Sequence, residues 1–247
     1  MLSNTILLMI AAAFIAFFIK GLCGFANTLV FTTILGFSID NANISPMEVI
    51  LGYPSNVIIA WNERKNIKWK LWLPMAMMVI LGSLPGAILL KNANAQVVKI
   101  IFGFVVIAIS IEMLWKEHLD SDGSIKKSKN KFLISFMGIA AGALCGIYGV
   151  GALLAVYVNR VTENSHDFKG NLCMVFIVEN TFRIIVYSLT GLITLQTMKM
   201  AGILLPVMLI GLFLGMKSSK ILDEKQVKKV VIVLLIISGI ALIIVNF

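Results

Sequence analysis

A chain of 247 residues that is 59% hydrophobic and only 13% charged, with a mean hydropathy of +0.96, has the composition of an integral membrane protein. Its net charge of +9 is dispersed over short loops, so it reports topology and excludes one continuous basic surface for nucleic acid. The three cysteines, Cys23, Cys145 and Cys173, lie in apolar surroundings without CxxC spacing, which excludes a disulfide framework and a zinc site and leaves them as small packing residues.

Apolar windows of helical length fall at 5–19, 28–37, 46–61, 71–90, 97–115, 132–158, 172–189, 198–216 and 230–247, where about 20 residues span a hydrocarbon core. The first is a poor signal peptide, because no basic residue precedes it and Lys20 and a glycine-rich break follow it. Loop 62–70 carries Arg64, Lys65, Lys68 and Lys70. Loop 116–131 carries Lys116, Lys126, Lys127, Lys129 and Lys131, and loop 217–229 carries Lys217, Lys220, Lys225, Lys228 and Lys229. The positive-inside rule makes these three cytoplasmic, and the nearly uncharged loops 38–46, 91–96 and 190–199 external. Both termini are then expected outside, in a multi-pass cell-membrane protein of prokaryotic plasma-membrane type.

The same segment occurs twice. GLCGFAN at 21–27 answers ALCGIYG at 143–149, Asn56 falls opposite Asn180, Gly82 and Gly86 opposite Gly211 and Gly215, and QVVKII at 96 opposite QVKKVV at 226. Matching loops carry opposite charge character, so they lie on opposite sides of the membrane, which is the mark of an inverted-topology repeat. The expected architecture is an all-α polytopic membrane protein of two inverted repeats, 1–118 and 132–247, joined by a lysine-rich cytoplasmic linker at 119–131. Each repeat opens on a glycine-interrupted segment, followed by three membrane-spanning helices. The interrupted segment must return to the side it entered, either as a re-entrant hairpin or as two short tilted spans. Irregular backbone at membrane depth is tolerated only where protein or a polar path surrounds it, and the two breaks are expected to meet there.

Charges inside the apolar windows point to a binding site. Arg183 lies mid-window, where an unpaired guanidinium costs roughly 3 kcal/mol or more. Glu179, one helical turn earlier, either forms a structural intrahelical pair with it or orients it toward an anionic ligand. Lys20 adjoins the first break, and either faces the ligand or snorkels to an interface. Half-helices starting near Gly24 and Gly146 aim unpaired amides at one point, Gly149 and Gly151 allow close backbone approach, and Phe25 and Asn27 border the same break. Asn56 and Asn180 occupy equivalent positions, either as interhelical glue or as ligand groups. Thr28, Ser55 and Thr181 rank lower, because such hydroxyls often bond their own helix.

Pro54 and Pro85 are expected to kink their helices, and His118 and His166 to be ordinary solvated side chains. No GxxxxGK[ST] motif is present, so no nucleotide and no cofactor is expected on this chain. Coupling to a proton or sodium gradient, or facilitated diffusion, is the expectation, with Glu179 as the one buried acid able to carry a proton. A passive anion channel and a membrane-embedded enzyme are the alternatives, the enzyme disfavoured because no nucleophile and base pair stands out.

The run GLCGFAN, then NERKNIKWK at 62–70 and GSLPGAILL at 82–90, resembles the first half of the TauE/SafE family of sulfite-exporter-like permeases. GALCGIYGVGALL at 142–154, KGNLCMVFIVENTFRIIVYSLTGLIT at 169–194 and LIGLFLGMK at 209–217 resemble its second half. The resemblance implies a permease for small anions such as sulfite, organosulfonates and related carboxylates. Two departures stand out: GFAN where GFG is common in the family, which places Asn27 at the break, and GIYGVG where a double glycine is common, which places Tyr148 there.

Overall fold

The computed structural model describes residues 2–36, 39, 41–92 and 164–221, together with isolated positions within 100–115, 154–162 and 226–244. The second glycine-rich run with Gly146, Gly149 and Gly151, the 119–131 linker and His118 lie outside the described residues.

Six α-helices and one short 3-10 turn make up the described fold, with no strand among the described residues: α1 (Leu2–Cys23), α2 (Asn27–Leu35), α3 (Asn41–Asn62), the 3-10 turn Arg64–Asn66, α4 (Trp69–Asn92), α5 (Ser165–Leu189) and α6 (Leu195–Ser218). Three stretches among them are long and apolar enough to cross a membrane, Thr5–Cys23, Ser165–Leu189 and Leu195–Ser218. Six of the expected windows, 5–19, 28–37, 46–61, 71–90, 172–189 and 198–216, coincide with helices, and those at 97–115, 132–158 and 230–247 fall mainly outside the described residues; α3 and α5 begin several residues before the apolar run. Local chemistry sets the starts of α5 and α6. The Asn164 side chain accepts from the Asp167 amide at 2.8 Å and Thr194 from the Thr197 amide at 3.1 Å, satisfying donors that a helix start leaves open. Gly191, at φ +73, closes α5 in the left-handed conformation that glycine adopts without strain.

Two helix pairs organise the bundle. α1 and α6 run parallel: Gly211 lies against the backbone of Phe14 and Phe18, Gly215 against Phe18 and Gly21, and Gly21 against Leu212 and Met216. A Cβ on Gly215 would collide with the Phe18 carbonyl oxygen and one on Gly21 with the Leu212 carbonyl oxygen. Small residues four apart thus let two backbones touch, the packing that replaces the hydrophobic drive inside lipid. α3 and α5 run antiparallel, with Ser45 beside Tyr187, Glu48 beside Arg183 and Gly52 beside Asn180. Farther along, Glu63 meets Gly170 and His166. Phe17, Phe31, Leu35, Leu51, Leu172, Met208 and Leu212 are fully buried between the helices.

The first break is shorter than the sequence suggests. The helix continues through Gly21, Leu22 and Cys23, and only residues 24–26 leave it. Gly21 is therefore a packing glycine rather than part of the break, and the second half-helix starts at Asn27, not near Gly24. Gly24 takes φ +85, and Ala26 φ +73, a conformation that costs a residue with a Cβ roughly 1–2 kcal/mol.

Candidate functional site

The turn at Gly24–Ala26 positions one buried lysine and one polar cluster. The last turn of α1 is closed by the Gly24 amide donating to the Lys20 carbonyl at 2.6 Å, so the break begins one turn past Lys20. That side chain is 1% exposed. Its Nζ stands 5.9 Å from the ring centroids of both Phe17 and Phe176, a distance at which an ammonium is held by the ring faces. No hydrogen bond or ion pair joins Lys20 Nζ to any described residue. Snorkelling is excluded for a side chain so enclosed, whereas Glu48 and Glu179 are near enough to act on it electrostatically.

After the break, α2 opens with its Ala26 cap offering no side-chain bond to the first amides. Its first two side chains turn to α3 instead. Asn27 Nδ2 donates to Glu48 Oε1 at 2.6 Å, and the Thr28 hydroxyl donates to the same oxygen at 2.8 Å. Glu48 Oε2 faces Arg183 Nη1 at 3.4 Å. Arg183 Nη2 donates to the Ser45 hydroxyl at 2.9 Å and the Tyr187 hydroxyl at 3.2 Å, and its Nε lies 3.6 Å from Glu179 Oε1. The guanidinium also sits 5.3 Å from the Tyr187 ring centroid. Two carboxylates, two hydroxyls and an aromatic face therefore surround Arg183.

Glu179 is accordingly not the one buried acid. Glu48, 2% exposed, is the residue sequence reasoning passed over. Its signal was an acid two residues inside the 46–61 apolar window, and an intramembrane acid is a functional candidate by default. Gly52 was likewise unremarked: a Cβ there would lie 3.1 Å from Glu48 Oε1 and 3.3 Å from Asn180 Nδ2, so glycine makes the room in which α2, α3 and α5 bring their polar groups together.

The other expected residues divide. Asn180 joins the cluster beside Gly52. Asn56, two turns past Glu48 on the same helix face, is buried, and its Oδ1 has no hydrogen-bond partner. Phe25 packs edge-on against Phe168, centroids 6.0 Å apart, which holds the break against the first turn of α5. Gly24 receives the Cys173 thiol on its carbonyl at 3.7 Å and the Lys169 stem against its Cα. Ser55 and Thr181 do bond their own helices, to the Gly52 and Ile177 carbonyls at 2.7 Å. His166 is not simply solvated: its Nδ1 lies 2.9 Å from Glu63 Oε2. No group of three or more metal-ligating side chains occurs among the described residues.

Around the junction of α2, α3 and α5, the buried cations Lys20 and Arg183 oppose the buried acids Glu48 and Glu179; Glu63, Asp167 and Lys169 are buried as well, nearer the start of α5, and residues 132–159 contain no Asp, Glu, Lys, Arg or His. A family model described as "Sulfite exporter TauE/SafE" matches residues 9–242. No curated protein and no solved structure matches the chain.

Proposed function

The chain belongs to the sulfite exporter TauE/SafE family, whose membership implies transport of the sulfite and anion exporter type across a membrane, and from that premise we propose a secondary transporter of small anions with Lys20 as the ligand's charge partner. The substrates it fits are sulfite, organosulfonates and related carboxylates, moved by alternating access around one site near the membrane midplane. Lys20 carries this reading, because it is a buried cation with aromatic walls and no acid in contact. An ammonium so placed is electrostatically incomplete, and a small anion completes it.

In this reading Arg183 acts at one remove. Its Nη donors are spent on Glu48, Ser45 and Tyr187, while its Nε faces Glu179 at 3.6 Å without a hydrogen bond, so it fixes α3 against α5 and presents a substrate-facing donor only when that bracket opens. Asn27, Asn180, Asn56 and the break at Gly24 and Phe25 frame the site from the first half. Gly146, Gly149 and Gly151 frame it from the second. The repeats are 1–118 and 132–247 in inverted topology, with the 119–131 linker cytoplasmic and both termini outside. The parallel course of α1 with α6 and the antiparallel course of α3 with α5 support this arrangement, since inversion requires both. Coupling to protons or sodium fits the balanced charge set, in which an added anion calls for an added cation.

Reconstituted protein tests this. Saturable sulfite uptake with counterflow is expected; flux that rises linearly without counterflow would make it a channel, and chemical conversion of the substrate an enzyme. Single cysteines at Ser128 and Gly191 should label from opposite sides, and labelling from one side would overturn the inverted repeat.

A further inference from the structure

Within that anion-site reading, on which this inference rests, the amide of Asn56 is the group whose state is least explained by the protein. Its Oδ1 is buried without any hydrogen-bond partner. Two other buried asparagines differ: Asn27 donates to Glu48, and Asn171 accepts from the Lys68 amide and donates to the Asn66 and Asp167 carbonyls. A buried amide left unsatisfied costs about 1–3 kcal/mol, which a ligand can recover.

Register places that amide. Ser45 with Tyr187, Glu48 with Arg183 and Gly52 with Asn180 advance along α3 as they retreat along α5. One further turn sets Asn56 opposite Phe176, the ring that faces Lys20 Nζ. A cation without a bonded acid and an amide oxygen without a partner thus lie at one level of the bundle. An amide edge presents one acceptor and one donor side by side. Its complement is the HO–X–O edge of an oxyacid that has kept one proton: the ligand hydroxyl donates to Oδ1, and a ligand oxygen accepts from Nδ2. The charge set agrees, because Lys20, Arg183, Glu48 and Glu179 already sum to zero. A monoanion leaves one uncompensated charge, and a dianion two.

We propose that Asn56 and Lys20 together select singly protonated oxyacid monoanions of the hydrogensulfite type over dianions and over monoanions without a hydroxyl. The charged and titratable groups near the site are Lys20 from α1, Glu48 from α3, and Cys173, Glu179 and Arg183 from α5, so a pH experiment must separate their titration from that of the ligand.

Methanesulfonate makes that separation, being a monoanion without a hydroxyl at every relevant pH. Binding of sulfite, methanesulfonate and sulfate to the purified full-length protein is measured by calorimetry, on the acid side, where sulfite is hydrogensulfite, and on the alkaline side, where it is the dianion. The expected result is that sulfite, normalised to methanesulfonate at the same pH, binds about tenfold tighter on the acid side, the equivalent of one hydrogen bond, with sulfate weakest throughout. Asn56→Leu should shrink that normalised ratio to near one, and Asn56→Gln should restore part of it. Equal or tighter normalised sulfite binding on the alkaline side overturns the inference, as does an acid preference that survives Asn56→Leu. Should the variants not fold, the wild-type ratio alone decides. If no anion binds at either pH, the anion site itself is wrong, an outcome distinct from binding without discrimination.

Discussion

α1 with α6 and α3 with α5 are two helix pairs in one bundle held by opposite means. The parallel pair closes through glycines, Gly21, Gly211 and Gly215, with backbone against backbone and no charge in the seam. The antiparallel pair closes through a buried guanidinium between two carboxylates. Lys20 lies on α1 yet faces the α5 ring Phe176, so it belongs to neither seam. Arg183 donates through both Nη atoms to the groups that join α3 and α5, whereas Lys20 makes no hydrogen bond, and on the proposed reading the first cation holds the seam while the second is left for a ligand. Both lie within reach of the same pair of acids.

Glu48→Ala attacks the charged seam where it is most dependent. It strands Arg183 with less than its full set of acceptors and leaves Asn27 Nδ2 and the Thr28 hydroxyl without theirs. A loss of about 3–5 kcal/mol is expected, the range for removing one partner of a buried pair, read as a fall in the thermal unfolding midpoint in detergent. Combining Glu48→Gln with Arg183→Met should recover much of it, because no lone buried charge is left. A double variant as unstable as the single one would show that the pair is not the source.

Lys20→Met separates the two cations. Binding of small anions should fall by roughly tenfold to a hundredfold, the worth of a charge-assisted hydrogen bond, while the unfolding midpoint stays or rises because an unpaired buried charge has been removed. If Lys20→Met unfolds the protein as Glu48→Ala does, the lysine is structural and the contrast between the two cations fails.

The α1 to α6 seam answers to volume instead. Gly215→Ala inserts a methyl where the Phe18 carbonyl oxygen already stands, and overpacking of this kind costs about 1–3 kcal/mol. Unlike the Glu48 loss, no second-site charge removal should relieve it, a difference that thermal melts of the combined variants read directly.

Much of this was legible in the residues, and the rest failed for a physical reason. Apolar windows located α1 to α6, because burial in lipid demands long uniform runs. Arg183 and Lys20 stood out as charges within such runs. Glu48 did not, since it falls at the start of a window where acids are common, and only the α2 contacts from Asn27 and Thr28 bring it inside. Gly21 was assigned to the break on its neighbours' pattern, but a glycine in a membrane helix serves either a turn or a close contact, and only the partner helix α6 decides which. Asn56 and Asn180 match each other in the sequence, yet the fold sets Asn180 beside Gly52 and leaves the Asn56 Oδ1 buried without a partner.

Burial, rather than the presence of an ion pair, is what makes the α3 to α5 seam costly to break, and the other end of the same helices, beside the 3-10 turn, supplies the control. Lys68 Nζ lies 2.6 Å from Asp167 Oδ2, closer than Arg183 lies to either acid, but the lysine side chain is 51% exposed. Water competes for an ammonium so exposed and salt screens it, so the pair is worth less than about 1 kcal/mol despite its shorter distance. Asp167 also sits in the first turn of α5, where a carboxylate is favoured by the helix end whether or not Lys68 is present. Lys68→Met should therefore lower the unfolding midpoint only slightly, and by an amount that shrinks further as salt is raised, whereas the Glu48→Ala loss should be insensitive to salt. A Lys68→Met loss as large as that of Glu48→Ala, or one that persists at high salt, would mean that proximity and not burial ranks these pairs.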